Sequence, residues 1–382
     1  MIYLDNAATT WPKPESVYKE ILYCMEHLGA NPGRSGHQMA MAAGDKIYEC
    51  RETICTLFNI PNPLGVAFTS NATEALNLGI KGILKPGDHV ITTGMEHNSV
   101  LRPLMQMESK GITVSIVNAD AFGKVHAKDI MKKITRKTKM IITTHASNVF
   151  GTIYPIEEIG YIAYKNNIIY MVDAAQTAGV IPIDVQQMHI DILAFPGHKG
   201  LLGPQGTGGI YIREGIKVLP LKEGGTGSMS ESQYQPKELP DRYESGTLNA
   251  PGIAGLNQGI KYILQKGQRQ ILEHERTLVQ HLLEGLKTIH KVKVYGTKDL
   301  YERVGVVSIN IADKDCVEVC NILDEIYDIA VRGGLHCSYL AHQNLGTLER
   351  GTIRLSVGAF NTIAEIDMAL TAIEDIAKNE YR

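Results

Sequence analysis

Apolar segments of strand length alternate with helical segments between residues 64 and 212, and no other feature of the chain restricts its fold as strongly. The strand candidates are short, mostly apolar runs that cover residues 64–69, 89–93, 113–117, 140–144, 168–173 and 192–195. Helical patterns lie between most of them, as parallel strands require, because their connections must cross over the sheet. The sequence therefore predicts an α/β fold built on a mostly parallel sheet with helices on both faces.

The segments on either side of this alternation predict further units. Residues 1–13 contain a brief strand, small residues and Pro12, and a helix follows over residues 15–28 with Val17, Ile21, Leu22 and Met25 on its core face. Another helix is predicted over residues 128–139. A long helical run over residues 253–289, short strands and a last helix over 363–377 complete the chain. We predict an N-terminal segment (1–13), a large α/β domain (14–250) and a smaller α+β domain (251–382).

Two predicted strands end at charged side chains. The strand 168–173 ends in Asp173, and the strand 192–195 leads through Pro196 and Gly197 to Lys199. Ligands of parallel sheets bind beyond the carboxyl ends of the strands, so Asp173 and Lys199 are predicted to face one crevice. A lysine shielded from water keeps part of its amine neutral and can attack a carbonyl. The alternative is a solvated lysine in a glycine-rich loop.

At these residues the chain resembles the fold type I pyridoxal phosphate enzymes, and within them the class V aminotransferase family that includes cysteine desulfurases and selenocysteine lyases. The match consists of Asp173-x-x-Gln176 followed by Gly197-His198-Lys199, and the likeness extends from residues 3–10 to Arg354. The resemblance implies a large domain with a sheet of the seven-stranded type. It also implies that Lys199 binds pyridoxal phosphate covalently, that Asp173 pairs with the ring nitrogen and that Gln176 bonds the ring oxygen.

The cofactor's phosphate has a candidate site where the strand 64–69 runs into Ser70-Asn-Ala-Thr73. The free N–H groups at the start of a helix bind phosphate, although Asn71 or Thr73 can equally serve only as a helix cap. The resemblance favours phosphate, bound by Ala72, Thr73 and His198. It further implies that His97, which follows the strand 89–93, stacks on the cofactor ring and takes part in catalysis, and that Asn148 reaches the ring oxygen or the substrate.

A second informative stretch is Arg332-Gly-Gly-Leu-His336-Cys337. A thiol in a glycine-bordered loop beside Arg332 and His336 has surroundings that favour the thiolate, although a small packed hydrophobe is the alternative. Together with the cofactor motif, this spacing resembles the sulfur-mobilisation group of cysteine desulfurases, which has a short active loop. The resemblance implies that Lys199 removes the Cα proton of L-cysteine and that Cys337 takes its sulfur as a persulfide, which leaves L-alanine.

The same resemblance implies the substrate contacts and the partners. Arg354 binds the substrate carboxylate by a two-pronged bond, with Ala7 and Arg332 nearby. Thr247, in the loop 242–247, reaches the phosphate in the other subunit's site, and the loop 31–37 lines that site, so we predict a homodimer. An acceptor protein or thiol then collects the sulfur, with iron–sulfur cluster assembly as one use.

Two departures from the family pattern leave details open. Pro196 stands where a serine or threonine is common, which removes a hydroxyl and an N–H from the phosphate site. Arg332-Gly-Gly-Leu-His also replaces the usual Thr-Gly-His-His pattern, which bears on the choice of acceptor and substrate. Alternative functions are a selenocysteine lyase, an aminotransferase or an epimerase in which Cys337 is not essential, and a partner protein without activity that keeps the fold.

Composition excludes several other classes. A net charge of −3 and a single tryptophan offer neither a basic field nor a stacking surface for nucleic acid. The chain starts without a signal-peptide pattern and has no apolar run of membrane-spanning length, so we expect a cytoplasmic protein that binds no membrane. Six scattered cysteines predict reduced thiols, neither a disulfide framework nor a metal site. Apart from Cys337 they are predicted to pack in the core.

Overall fold

The computed structural model describes residues 1–33 and 35–380. Arg34, in the loop predicted to face a partner's site, and residues 381–382 of the predicted small domain lie outside the described residues. The helices are α1 Glu15–His27, α2 Gln38–Phe58, α3 Ala72–Ile83, α4 Asn98–Glu108, α5 Ala127–Met131, α6 Ile156–Lys165, α7 Ala250–Lys266, α8 Gln268–Thr288, α9 Cys316–Tyr327, α10 Tyr339–Asn344 and α11 Ile363–Lys378. The strands are β1 Ile2–Tyr3, β2 Val66–Thr69, β3 His89–Thr93, β4 Thr113–Val117, β5 Thr138–Thr144, β6 Ile169–Asp173, β7 Ile192–Pro196, β8 Gly208–Ile212, β9 Val292–Val294, β10 Val306–Ile311, β11 Ile329–Ala330, β12 Arg332–Gly334 and β13 Thr352–Ser356.

The large sheet has seven described strands in the order β2-β8-β7-β6-β5-β3-β4. The run from β7 to β4 is parallel, whereas β8 is antiparallel to both of its neighbours. This confirms the predicted mostly parallel α/β fold. The exception has a local cause: the segment between β7 and β8 contains no helix to carry the chain back across the sheet, so β8 returns beside β7 in the opposite direction.

The chain backbones approach closely where β8 passes the start of α3. A Cβ on Gly208, at the start of β8, would lie 2.9 Å from the backbone of Asn71, which precedes α3. Only glycine therefore allows β8 to run directly beneath the start of α3. The central strands are buried on both faces, which explains why their sequences are continuous apolar runs without alternation.

The smaller part of the fold has an antiparallel sheet in the order β12-β13-β10-β9, covered by α8, α9 and α11. The predicted capping box is present, because Thr362 accepts from the N–H of Glu365 while the Glu365 carboxylate accepts from the N–H of Thr362. The N-terminal segment joins this part of the molecule, since β1 pairs with β11. The predicted domain boundaries stay a prediction.

Three predicted features of the helices are wrong. The predicted helix 128–139 ends at Met131, because the chain turns there and pairs residues 138–144 with the sheet. The predicted run 253–289 is two helices that meet at Gly267, where φ is +89°. The predicted core face of α1 is only partly buried: Leu22 and Met25 are 56% and 65% exposed.

The cysteines other than Cys337 were predicted to pack in the core. This is confirmed for Cys24, Cys50, Cys55 and Cys316, which are buried, whereas Cys320 is half-buried. In the part of the chain that the structure describes, no helix is both long enough and apolar enough to cross a bilayer.

Candidate active site

One cavity of about 230 Å³ lies between the carboxyl edge of the large sheet and the strands β12 and β13. It collects most of the residues that the sequence predicted for the site, although they come from distant parts of the chain. Those lining it are Ala7, Ala72, Thr73, His97, Asn148, Asp173, Gln176, His198, Lys199, Arg332 and Arg354. Cys337 and Thr247 do not line it.

Lys199 lies on the turn that follows β7, and hydroxyl groups of the N-terminal segment hold the carbonyls of this turn. A Cβ on Gly197 would lie 2.1 Å from Thr207 Oγ1, so the turn needs glycine there. The carbonyls of His198 and Lys199 accept hydrogen bonds from the hydroxyls of Thr9 and Thr10, at 3.1 and 2.9 Å respectively. Burial, aided by the Arg354 charge and opposed by Asp173, lowers the pKa of the Lys199 amine to about 8. A useful fraction of this amine is therefore neutral near neutral pH.

Asp173 ends β6 and is 2% exposed. Its Oδ1 accepts the N–H of Ala175 at 2.9 Å, and burial raises its pKa against the opposing effects of that bond and of Lys199. Beside it, Glu96 bridges two strand ends, because its carboxyl group accepts from Thr93 Oγ1 at 2.6 Å and from the N–H of Thr144 at 2.9 Å. Burial raises the pKa of Glu96 to about 8, so this group is mostly neutral at pH 7.

The start of α3 presents its backbone to the cavity. Asn71 Oδ1 accepts the N–H of Glu74 at 3.0 Å, which confirms Asn71 as the helix cap. The cap leaves the N–H groups of Ala72 and Thr73 without intrahelical partners, as in the first turn of any α-helix. Because Ala72 and Thr73 line the cavity, capping and anion binding are compatible at this helix start.

Two of the histidines that line the cavity, His97 and His198, are uncharged near neutral pH. Burial and the Lys199 charge lower the pKa of both His97 and His198 to about 4. His97 also caps α4, because its Nδ1 accepts the N–H of Ser99 at 3.0 Å. The proton of its neutral ring is therefore on Nε2. His198 Nδ1 lies 3.1 Å from Thr9 Oγ1.

Arg354 lies in β13, one of the two inner strands of the smaller sheet, and is 1% exposed. Its Nη2 pairs with Asp5 Oδ1 at 2.7 Å, and its Nη1 donates to the carbonyl of Asn148 at 3.0 Å. Its Nε has no hydrogen-bond partner among the described residues. A buried guanidinium N–H without an acceptor is costly, so this group is suited to an anionic ligand in the cavity.

Two of the predicted ligand contacts already have partners within the chain. Gln176 Nε2 donates to the carbonyl of Ala7 at 3.2 Å. Asn148 Nδ2 donates to the carbonyl of His336 at 2.7 Å, and its Oδ1 accepts from Ser338 Oγ at 2.7 Å. The predicted roles of Gln176 and Asn148 toward ring oxygen or substrate stay predictions.

Cys337 lies outside the cavity wall, on an exposed loop between β12 and α10. Its Sγ is 3.8 Å from Nη2 of Arg332, which does line the cavity. The predicted influence of His336 on this thiol is wrong, because the imidazole is buried and its Nε2 contacts the carbonyl of Thr352 at 3.0 Å. Burial lowers the pKa of His336 to about 2, so it carries no charge that favours a thiolate.

Thr247 is exposed and does not line the cavity of its own chain, and its role in another subunit's site stays a prediction. Its Oγ1 accepts from Asn31 Nδ2 at 3.2 Å, so the two loops predicted to face a partner touch each other. Buried Arg51 pairs with Glu244, whose other oxygen accepts the N–H of Phe68 at 2.6 Å. This ion pair attaches the Thr247 segment to the large sheet.

The prediction from sequence missed several residues that support the site. Glu96 had a recognisable signal, since it follows the end of β3 and directly precedes His97. Lys13 had none: its Nζ donates to the carbonyl of His198 at 2.7 Å, and burial lowers its pKa to about 7. Ser338 likewise follows Cys337 without any motif to mark it.

Comparisons with known proteins agree with this geometry. A family model described as aminotransferase class-V matches residues 2–369. A probable cysteine desulfurase of Methanothermobacter thermautotrophicus is 35% identical over 98% of this chain and 94% of its own, and one of Pyrococcus abyssi is 36% identical over 99% and 95%. Among solved structures, the apo form of a cysteine desulfurase from Thermococcus onnurineus NA1 superposes with a TM-score of 0.93 at 35% identity and covers 99% of this chain and 95% of its own.

Proposed function

The chain belongs to the aminotransferase class-V family, and we propose that it is a pyridoxal phosphate-dependent cysteine desulfurase that converts L-cysteine into L-alanine and a persulfide on Cys337. The single observation that carries the proposal is the position of a free thiol beside Arg332, at the rim of a cavity that is lined by a half-buried lysine and a buried carboxyl group. The curated relatives, which share the length of the chain, bear the same activity in their names.

The residues of the cavity fit the cofactor. Lys199 supplies the amine for covalent attachment, and the buried Asp173 supplies a carboxyl group for the ring nitrogen. The N–H groups at the start of α3, with His198, supply donors for the phosphate, and Thr247 of a second subunit would add a hydroxyl. His97 offers a neutral ring to the cofactor ring. Pro196 offers the phosphate neither a hydroxyl nor an N–H, so its donors are those at the start of α3 and on His198.

Pyridoxal phosphate supplies an electron sink that makes the substrate Cα proton acidic. The chain contributes the base: the Lys199 amine, with a pKa of about 8, accepts that proton while partly neutral at pH 7. Arg354 holds the substrate carboxylate through its unpaired Nε, and Asp5 and the Asn148 carbonyl fix the guanidinium in place. The substrate is thereby oriented with its side chain free to meet Cys337.

Cys337 accepts the sulfur atom of the substrate. Its thiolate attacks the sulfur of the substrate, the carbon–sulfur bond breaks, and the electron pair of that bond stays with the substrate carbon, which takes up a proton. One cysteine and one protein thiol thus give one alanine and one persulfide. The exposed position of Cys337 then allows an acceptor protein or a small thiol to collect the sulfur.

The proposal is tested on the purified protein with its cofactor. L-cysteine should give equal amounts of alanine and transferable sulfur, and mass spectrometry after brief exposure should find one extra sulfur on Cys337. Alanine formation from L-selenocysteine but not from L-cysteine would favour a selenocysteine lyase. Amino-group transfer to a keto acid, without alanine from cysteine, would favour an aminotransferase.

A homodimer is part of the proposal. Large apolar side chains of α1 and α2 remain exposed in the single chain, and the set includes Tyr18, Leu22, Met25, Met39 and Met41. They lie on the same helices that flank the loop with Asn31, the partner of Thr247. Sedimentation should therefore give twice the chain mass. A monomer with full activity would contradict the role of Thr247 in a second subunit's site.

A further inference from the structure

A single side chain holds both neighbours of Cys337. Asn148 Nδ2 donates to the carbonyl of His336, and Asn148 Oδ1 accepts from Ser338 Oγ, each at 2.7 Å. The orientation of this amide is unambiguous, because a backbone carbonyl can only accept, so the amide nitrogen must face His336. The Ser338 hydroxyl must then donate. Both side chains are shielded from water, with Asn148 7% and Ser338 0% exposed.

The loop needs such restraint. His336 and Cys337 have φ of +49° and +59°, values that cost residues with a Cβ about 1 kcal/mol or more each. The carbonyl of Cys337 accepts the N–H of Asn98 at 2.7 Å, at the start of α4 beside His97. The loop around Cys337 is thus tied to the cavity segments through Asn98 and Asn148, and to β13 through the ring of His336 on Thr352. Of these contacts, the one with Asn148 involves a hydroxyl group of the loop itself, that of Ser338.

We propose that Ser338 is a positioning residue for the sulfur-transfer step. Acting through Asn148, its hydroxyl fixes the strained loop so that Cys337 stays beside Arg332 at the rim of the cavity. The proposal rests on the proposed function, since the position of this thiol matters to the reaction only if Cys337 receives the sulfur. Ser338 takes no part in removing the Cα proton, because Lys199 is held by contacts of its own with Thr9 and Thr10.

The test compares Ser338→Ala with a matched control in the same holoenzyme. Thr143→Val removes another fully buried hydroxyl, one that bonds Tyr170 at 2.8 Å and touches neither loop nor cavity. Three quantities are measured for each: hydrogen–deuterium exchange of the backbone amides at 335–338, persulfide formation on Cys337 after mixing with L-cysteine, and exchange of the Cα hydrogen of L-alanine with heavy water. The last depends on Lys199 and needs no thiol.

Ser338→Ala should speed amide exchange in the loop about tenfold and slow persulfide formation about tenfold, the range expected when a buried hydrogen bond is lost. Its Cα exchange of L-alanine should stay within about twofold of the wild type, and Thr143→Val should change none of the three. Unchanged loop exchange, or equal losses in Cα exchange and persulfide formation, would overturn the assignment. A wild type that exchanges the Cα hydrogen but forms no persulfide would instead refute the proposed function, and the inference with it.

Discussion

The two reactive side chains of this protein are positioned in different ways. Lys199 follows a strand in the interior of the large sheet, and the carbonyls of its turn accept hydrogen bonds from the hydroxyls of Thr9 and Thr10 in the N-terminal segment. Cys337 is exposed on a loop of the smaller part of the fold, and Asn148 holds the residues on either side of it. The difference suits the two tasks, because proton removal needs a fixed amine shielded from water, whereas sulfur delivery needs a thiol that an acceptor can reach.

The largest effect is expected when Lys199 is replaced. Lys199→Ala removes both the attachment point of the cofactor and the base, so alanine formation should fall at least about 1,000-fold. Borohydride treatment should fix the cofactor covalently in the wild type but not in the variant. Lys132→Ala, at an exposed lysine after α5, serves as the control. Reduction that links the cofactor to another lysine would contradict the assignment of Lys199.

Cys337→Ser should separate the two tasks. The variant retains Lys199 and Arg354, so it should stay yellow with bound cofactor and should exchange the Cα hydrogen of L-alanine like the wild type. Alanine formation from L-cysteine should fall at least about 100-fold, because the sulfur has no acceptor thiol. Cys320→Ala, at a half-buried thiol on α9, should keep full activity. Undiminished alanine formation by Cys337→Ser would show that the exposed thiol is not needed.

A smaller effect is expected at the residue that joins the two regions. Arg332 lines the cavity and also lies 3.8 Å from Cys337 Sγ. Arg332→Gln should slow persulfide formation about tenfold, equivalent to about 1.4 kcal/mol, and slow Cα exchange less. Rapid-quench measurement of the persulfide and heavy-water exchange of L-alanine give the two rates. A greater loss in Cα exchange would mean that Arg332 serves the substrate rather than the thiol.

The last effect concerns the pH dependence of stability near Asp173 and leaves the reaction rates aside. Glu96 has a pKa of about 8 in the folded protein against an ordinary value of 4.5, so the unfolded chain loses this proton first. The contribution of Glu96 to the free energy of unfolding is fully present below pH 4.5. It is lost as pH rises toward 8, at up to about 1.4 kcal/mol per pH unit.

Glu96→Gln should therefore reduce the loss of unfolding free energy between pH 5 and pH 8, as measured by urea unfolding, since an amide does not titrate in this window. Glu108→Gln, at the exposed end of α4, should leave the wild-type pH dependence unchanged. Parallel pH profiles for wild type and Glu96→Gln would show that the Glu96 carboxyl group is ionised in the fold.

The sequence by itself determined the large sheet and the residues at its carboxyl edge. Continuous apolar runs mark strands buried on both faces, and their ends carry Asp173 and Lys199, so strand order was not needed to place these two side chains together. Family resemblance added the assignment of Cys337 and Arg354. The failed predictions lie where strand pairing or exposure departs from the local hydrophobic pattern. The basic run after Met131 turns and leads into β5. Leu22 and Met25 face outward although their spacing fits the core face of a helix.

Only the tertiary structure decided which groups carry charge and which partners they use. Burial depends on every element that packs around a group, so no local motif predicts that His336 is neutral and contacts Thr352, or that Glu96 keeps its proton. Likewise, the bonds from Lys13 to His198 and from Ser338 to Asn148 join residues separated by 185 and 190 positions. Such pairs have no signature in sequence, because the fold brings them together and their residue types alone are common.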